Sequence, residues 1–228
     1  MPRRAASFAV LAVVLAATAL AGFTVTPNCA DPSDCTSSIQ ATLDYVDGDE
    51  ILLTAAKSPW VTQPLFLRRN NVKVTIEKGA VLIATRYEYH PLASSVLMLE
   101  EVVNVTVSGG GRIEMYRGDY NWTGCTAAPG CDYNHSQYRH ALTLRGVENV
   151  LVENLSFDET GGDGIYVGAG YGPERDTMPN SVNVTIRNVQ CRNNLRQGLS
   201  VVGVIGLLVE DSTFSGTKGN VPEAGIDF

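Results

Sequence analysis

Beyond its first twenty residues the chain has no apolar run of the length a bilayer span requires, about 20 residues, so the rest of the sequence reads as free of membrane spans. Segments with a helical period are few, which points away from a helical fold. Hairpin turns between the strand-like segments are scarce as well, and a β-sandwich, the main alternative among all-β folds, would need them. Basic residues are outnumbered, with 17 Lys and Arg against 24 Asp and Glu. An acidic surface repels nucleic acid and gives no pull on a polyanionic glycan, so both are discounted unless a local basic groove exists.

The one long apolar run lies at the start. In "MPRRAASFAVLAVVLAATALAG" a basic beginning precedes apolar residues from Ala5 to about Leu20, and Ala19, Leu20 and Ala21 form a small-residue exit. This is the pattern of a secretory signal peptide over residues 1–21, short for a membrane anchor, so a secreted, extracellular protein is expected. Its removal takes away Arg3 and Arg4 and leaves 15 basic groups against 24 acidic ones, a formal charge of −9. The remaining 207 residues, 22–228, suffice for one domain with a sizeable core.

Cysteine is sparse, and its five copies fall into two close pairs, Cys29 with Cys35 and Cys125 with Cys131, with Cys191 left over. Each pair could close a short disulfide loop in an oxidising compartment. Five Asn-X-Ser/Thr sequons occur, at Asn104, Asn121, Asn134, Asn154 and Asn183. Asn121 and Asn134 fall in a loop-like stretch and are the expected glycosylation sites.

What the chain does have is a repeat. "ENVLVENLSF" (148–157), "VNVTIRNVQC" (182–191) and "IGLLVEDSTF" (205–214) superpose without gaps, and "VVNVTVSGGG" (102–111) joins over its first half. Each copy is a short strand, a bend and a second short strand. Val152, Ile186 and Val209 share one inward column, and Phe157, Cys191 and Phe214 another, so Cys191 is expected in the core. Asn154, Asn188 and Asp211 share the bend, where their side chains can satisfy backbone groups and stack on one another.

A third strand accompanies each copy: "HALTL" (140–144), "DGIYV" (163–167), "QGLSV" (197–201) and "AGIDF" (224–228). Alternation sends Leu142, Ile165, Leu199 and Ile226 inward, together with Leu144, Val167, Val201 and Phe228, and sends Thr143, Tyr166, Ser200 and Asp227 outward. Gly164, Gly198 and Gly225 form a column at the strand start. It admits two readings: the bend demands glycine's backbone freedom, or a trough without side chains lets a flat sugar ring approach.

These short apolar strands, bend asparagines and irregular repeats resemble the pectate-lyase-like superfamily. The opening is similar too: "SSIQATLDYVDGDEILL" (37–53) looks like a helical cap and first strand, and "PLFLRRNNVKVTIEKGAVLIA" (64–84) like early coils. The resemblance implies an all-β, single-stranded right-handed parallel β-helix, a solenoid with a short N-terminal helical cap. The sequence stops at Phe228 inside a strand with no capping motif, so truncation at the C-terminus is expected.

Side by side, the coils place His140, Asp163 and Gln197 in one row and Arg139, Arg196 and Glu223 in the row before it. Neighbouring coils lie about 4.8 Å apart, so groups on adjacent coils can reach one sugar and groups two coils apart can span a glycosidic bond. Two insertions frame this face. The first, 116–138, carries Tyr116, Tyr120, Trp122, Tyr133 and Tyr138, whose rings could stack on sugars; the second is 168–181. Tyr166, Gln197, Arg139, Tyr120, Trp122 and Glu223 are the expected substrate contacts.

"GGDGIY" resembles the Asn-Thr-Asp-Gly-Ile-Asp string of polygalacturonase-type glycoside hydrolases, which implies that Asp163 matches one of their catalytic carboxylates. "RQGLSVVG" resembles their later Gly-His-Gly string, with Gln197 where they have histidine; their paired-aspartate coil and Arg-Ile-Lys string have no counterpart here. The leading expectation is glycosidic-bond hydrolysis of a polysaccharide with Asp163 as general acid and Asp227 as base, two carboxylates two coils apart, near the roughly 6.5–9.5 Å of an inverting enzyme. His140 and Arg196 would orient substrate or tune Asp163. No cofactor is required. One alternative is a polysaccharide lyase with Arg196 or His140 as base and Ca²⁺ held by Glu174 and Asp176, or by Glu223 and Asp227. The other is a non-catalytic glycan-binding surface module. A monomer is expected.

Overall fold

The computed structural model of the chain describes residues 23–45, 49–120, 136–171 and 179–228. The expected signal peptide, Cys125 with Cys131, Trp122, Asn121, Asn134, Glu174 and Asp176 lie outside the described residues. Among those described, no helix is long and apolar enough to cross a membrane.

The chain winds through three sheets in turn, and every pairing between its named strands is parallel: a seven-stranded first sheet and second and third sheets of six strands each. Each coil visits the first, second and third sheets in that order, and six complete coils follow one another. This is a right-handed parallel β-helix, held together by contacts between neighbouring coils.

The columns expected from the repeat run the length of the molecule. In the first sheet Ile51, Val74, Val107, Val152, Ile186 and Val209 stack in register. In the second the stack is Trp60, Leu82, Ile113, Phe157, Cys191 and Phe214. In the third it is Leu65, Leu97, Leu142, Ile165, Leu199 and Ile226. Cys191 is a free thiol buried in the column, and burial raises its pKa well above the ordinary thiol value. The sixth coil has a neighbour on one side only. Its inner residues Leu207, Val209, Phe214 and Ile226 are therefore only partly buried, and Phe228, expected inward, is exposed.

Asparagine serves the first-to-second-sheet corner because the corner needs left-handed backbone. Asn154, Asn188 and Asp211 have φ of 56°, 48° and 51°, a region that asparagine and aspartate tolerate better than other side chains with a Cβ. Asn188 Nδ2 donates to Asn154 Oδ1 at 2.7 Å, so the column is also a ladder. A second ladder forms at the start of the same sheet, where Asn183 Nδ2 donates to Asn149 Oδ1 at 2.7 Å and Asn104 Nδ2 to Asn71 Oδ1 at 3.0 Å. Asn188→Ala is expected to lower unfolding stability by about 1–2 kcal/mol, and Asn188→Gly by much less, as read from urea denaturation midpoints.

The helix Thr36–Tyr45 caps the first coil. It buries Cys35, Ile39 and Leu43, while the Gln40 amide both accepts the Phe66 N–H at 2.9 Å and donates to the Phe66 carbonyl at 2.8 Å. The side chain thus replaces a missing strand along an edge that would otherwise offer itself for pairing. Cys29 and Cys35 form the expected disulfide just before the helix.

Candidate functional site

The outward residues of the third sheet form the candidate site. Register aligns Phe66, Met98, Thr143, Tyr166, Ser200 and Asp227, one per coil. Two residues further along each strand, Glu100 and Arg145 pair in register, and Arg68 donates to Glu100 from the preceding coil with Nε 2.6 Å from Oε2. The first four coils enclose a groove of about 470 Å³, walled by Phe66, Met98, Tyr138, His140, Tyr166 and Tyr171. Arg145 lies under two rings, 5.9 Å from that of Tyr166 and 5.0 Å from that of Tyr171. The Tyr171 hydroxyl donates to Glu100 at 2.9 Å.

The polar cluster lies at the C-terminal end of the groove. Asp163 has no exposed side-chain surface. Arg196 Nη1 donates to its Oδ2 at 3.1 Å and Ser200 Oγ lies 2.7 Å from the same oxygen. Arg196 Nη2 faces Asp227 Oδ2 at 3.8 Å, and Gln197 Nε2 donates to that Asp227 oxygen. Ser200 Oγ also bonds Gln197 Oε1. Ser200 Oγ is the donor to Asp163, and its single proton serves either that carboxylate oxygen or Gln197 Oε1 at any moment. Burial pushes the Asp163 pKa up to about 6, outweighing the pull of Ser200 and Arg196, and the Asp227 charge adds to the rise.

His140 joins cluster and groove. Its Nδ1 accepts the Asp163 backbone N–H at 2.9 Å, and its ring stacks on Tyr166 at 5.2 Å and 14°. Nδ1 also lies 3.4 Å from Asp163 Oδ2, but a nitrogen that accepts an N–H carries no proton of its own, so the contact is not an ion pair. Burial, with the Arg196 and Arg145 charges, lowers the His140 pKa to about 3.

The structure brings Asp163, Asp227, Arg196, His140, Gln197 and Tyr166 together, and sets three expected substrate contacts elsewhere. Arg139 is fully buried and donates to the Tyr89 carbonyl at 2.6 Å and the His90 carbonyl at 3.2 Å, so its guanidinium meets the corner of the coil rather than a ligand. Tyr120 is buried against Gly161, with the Arg139 guanidinium 5.4 Å from its ring. Glu223 is exposed in its own loop, accepting the Gly219 N–H at 2.9 Å. No three His, Cys, Asp or Glu side chains gather as metal ligands among the described residues.

The glycine column answers to neither expected reading. None of Gly164, Gly198 and Gly225 has left-handed backbone, and the missing side chains face inward. A Cβ on Gly164 would lie 2.8 Å from the Gly198 carbonyl oxygen and 2.9 Å from Cys191 Sγ; one on Gly198 would lie 2.8 Å from Phe214. At Gly164 and Gly198 glycine is there because neighbouring atoms, those of the second-sheet column among them, fill the space, whereas a Cβ on Gly225 would meet Phe214 only at an ordinary 3.5 Å.

Phe66, Met98, Glu100 and Arg145 were not anticipated as groove residues, although a signal for them exists. Aligning "LFLR" (65–68) and "LMLE" (97–100) with "LTLR" (142–145) places them in the outward rows.

The fold and this one-sided groove define a parallel β-helix with a candidate ligand face. No family model matches the chain. Among curated proteins it is similar to the SPbeta prophage-derived uncharacterized protein YorA of Bacillus subtilis strain 168, with 28% identity over 165 residues, or 69% of this chain and 26% of that protein. The chain thus spans about a quarter of that relative. Among solved structures it is similar to a candidate glycosyl hydrolase from Parabacteroides merdae ATCC 43184, with TM-score 0.57 and 16% identity over 87% of this chain and 99% of that one. It is also similar to an iota-carrageenase of family GH82 from A. fortis, with TM-score 0.59 and 16% identity over 82% of this chain and 39% of that one. At such identities the likeness establishes the fold.

Proposed function

We propose that the protein is secreted, binds a polysaccharide along its third sheet and hydrolyses glycosidic bonds with Asp163 as general acid and Asp227 as base. The observation that carries this reading is a pair of carboxyl groups linked through Ser200 and Gln197, Asp163 fully buried and Asp227 partly exposed. Burial raises the Asp163 pKa to about 6 and so favours the protonated form a general acid needs, while Asp227 meets the N–H donors of Gln197 and Arg196, the division of labour that two-carboxylate hydrolysis requires. The groove supplies ring faces for sugars, and fold neighbours described as glycoside hydrolases support the same class of substrate.

Asp163 is closed off by Ser200, Arg196 and His140, so its proton reaches a glycosidic oxygen only after Arg196 swings toward Asp227, which Nη2 already faces. That closure favours a second reading, a groove that binds glycan and cleaves nothing. The lyase alternative is weaker: His140 holds Nδ1 on a backbone N–H, and both terminal nitrogens of Arg196 face carboxylates, so neither is arranged as a base.

Incubation with neutral and uronate polysaccharides, following reducing ends and absorbance near 235 nm, separates the three. New reducing ends without absorbance are expected. Both rising would indicate β-elimination, and saturable binding with neither would indicate a recognition surface.

A further inference from the structure

The His140 bond to the Asp163 backbone has a consequence for the groove. A neutral imidazole holds one proton, and with Nδ1 accepting an N–H that proton resides on Nε2. The two ring nitrogens diverge, so Nε2 faces away from the Asp163 N–H, and His140 itself lines the groove. No hydrogen-bond acceptor takes this N–H among the described residues. Ser94, which also lines the groove, has a buried Oγ without a hydrogen-bond partner among the described residues. It lies on the coil before His140, one row from Ser95, the register partner of His140.

We propose that His140 is a specificity-determining hydrogen-bond donor, fixed in one tautomer, whose Nε2–H holds a hydroxyl of a sugar ring in the groove, with Ser94 Oγ as its neighbouring polar contact. This rests on the glycan reading above, sharpens the expectation that His140 orients substrate or tunes Asp163, and replaces the base role that the lyase alternative gave it. Turning the ring over would put a carbon where Nδ1 stands and strand the Asp163 N–H. The charged and titratable groups around it are Asp163, Arg196, Arg145, Tyr138 and Tyr166. The two cations oppose its protonation, and the Asp163 carboxyl faces the nitrogen that is already occupied.

Nitrogen-15 NMR of the imidazole tests the tautomer without any ligand. Nδ1 is expected to stay unprotonated and Nε2 protonated from about pH 4.5 to 8; titration near the ordinary histidine value of about 6.5, or a proton on Nδ1, overturns the proposal. Binding is then measured by calorimetry with cellohexaose, agarohexaose and a galacturonate hexamer on folded variants. His140→Phe keeps a ring on Tyr166 and is expected to weaken the best-bound probe about 5–10-fold, while His140→Gln, which can return an N–H to the Nε2 position, recovers part of the loss. Unchanged binding in His140→Phe overturns the donor role. Failure of all three probes to bind the unmodified protein overturns the glycan reading and this role with it, and the NMR result shows separately whether the tautomer is fixed.

Discussion

Asp163→Asn is expected to lower turnover on the true glycan by roughly 10²–10⁴-fold, the usual weight of a general acid, while making the protein more stable at neutral pH. The stability change follows from burial. The folded carboxyl titrates at about 6, against about 3.9 for an unfolded aspartate. Between those values the folded chain binds more protons than the unfolded one, so stability is fully present below about pH 4 and falls as pH rises through about 6. Asparagine never ionises and escapes that loss. The gap of about two pH units corresponds to about 3 kcal/mol, part of which is offset because Arg196 loses one partner. A gain of about 1–3 kcal/mol at pH 7 and none near pH 4 is expected in urea unfolding. Full activity in the variant would remove Asp163 from the chemistry, and lower stability at pH 7 would mean that Arg196 outweighs burial.

Gly164→Ala carries the second large effect, on stability rather than rate. The new Cβ would lie 2.7 Å from Asn194 Nδ2, 2.8 Å from the Gly198 carbonyl oxygen and 2.9 Å from Cys191 Sγ. A backbone oxygen in register cannot move aside without shifting its coil, so the loss should reach about 3 kcal/mol, the upper part of the usual range for overpacking. Denaturation midpoints measure it. A variant that unfolds like the unmodified protein yet binds glycan poorly would revive the trough reading.

The fold was legible because every coil repeats the same two constraints, period-two alternation along the strands and a left-handed asparagine or aspartate at the corner. The inward columns of all three sheets could therefore be read from the sequence, Phe157 with Cys191 and Leu142 with Ile165 among them. The polar row His140, Asp163 and Gln197 was legible for the same reason. Its burial was not: alternation tells inside from outside, but Ser200 and Arg196 close over Asp163 through side-chain contacts that no spacing records. Arg139 and Tyr120 were misplaced on similar grounds, since Arg139 lies over the Tyr120 ring and bonds the Tyr89 and His90 carbonyls while Tyr120 packs on Gly161, and an arginine in a sequence looks like a surface residue until its carbonyl partners are known. The N-terminal half of the groove was readable in principle from the aligned Leu-X-Leu strings, because Phe66 and Met98 follow from the rule that gave Tyr166.

One outward side chain per coil makes the third sheet a graduated scale. From Phe66 to Asp227 the marks stand about 4.8 Å apart, and a substitution at one mark leaves that interval unchanged, because the backbone pairing that sets it does not involve the side chain. The length of chain between marks is free as well: the intervals between successive third-sheet strands differ in residue number, yet the register stays intact. Such a surface can lengthen by whole coils and change its reading one position at a time, so its gauge and its vocabulary can evolve separately.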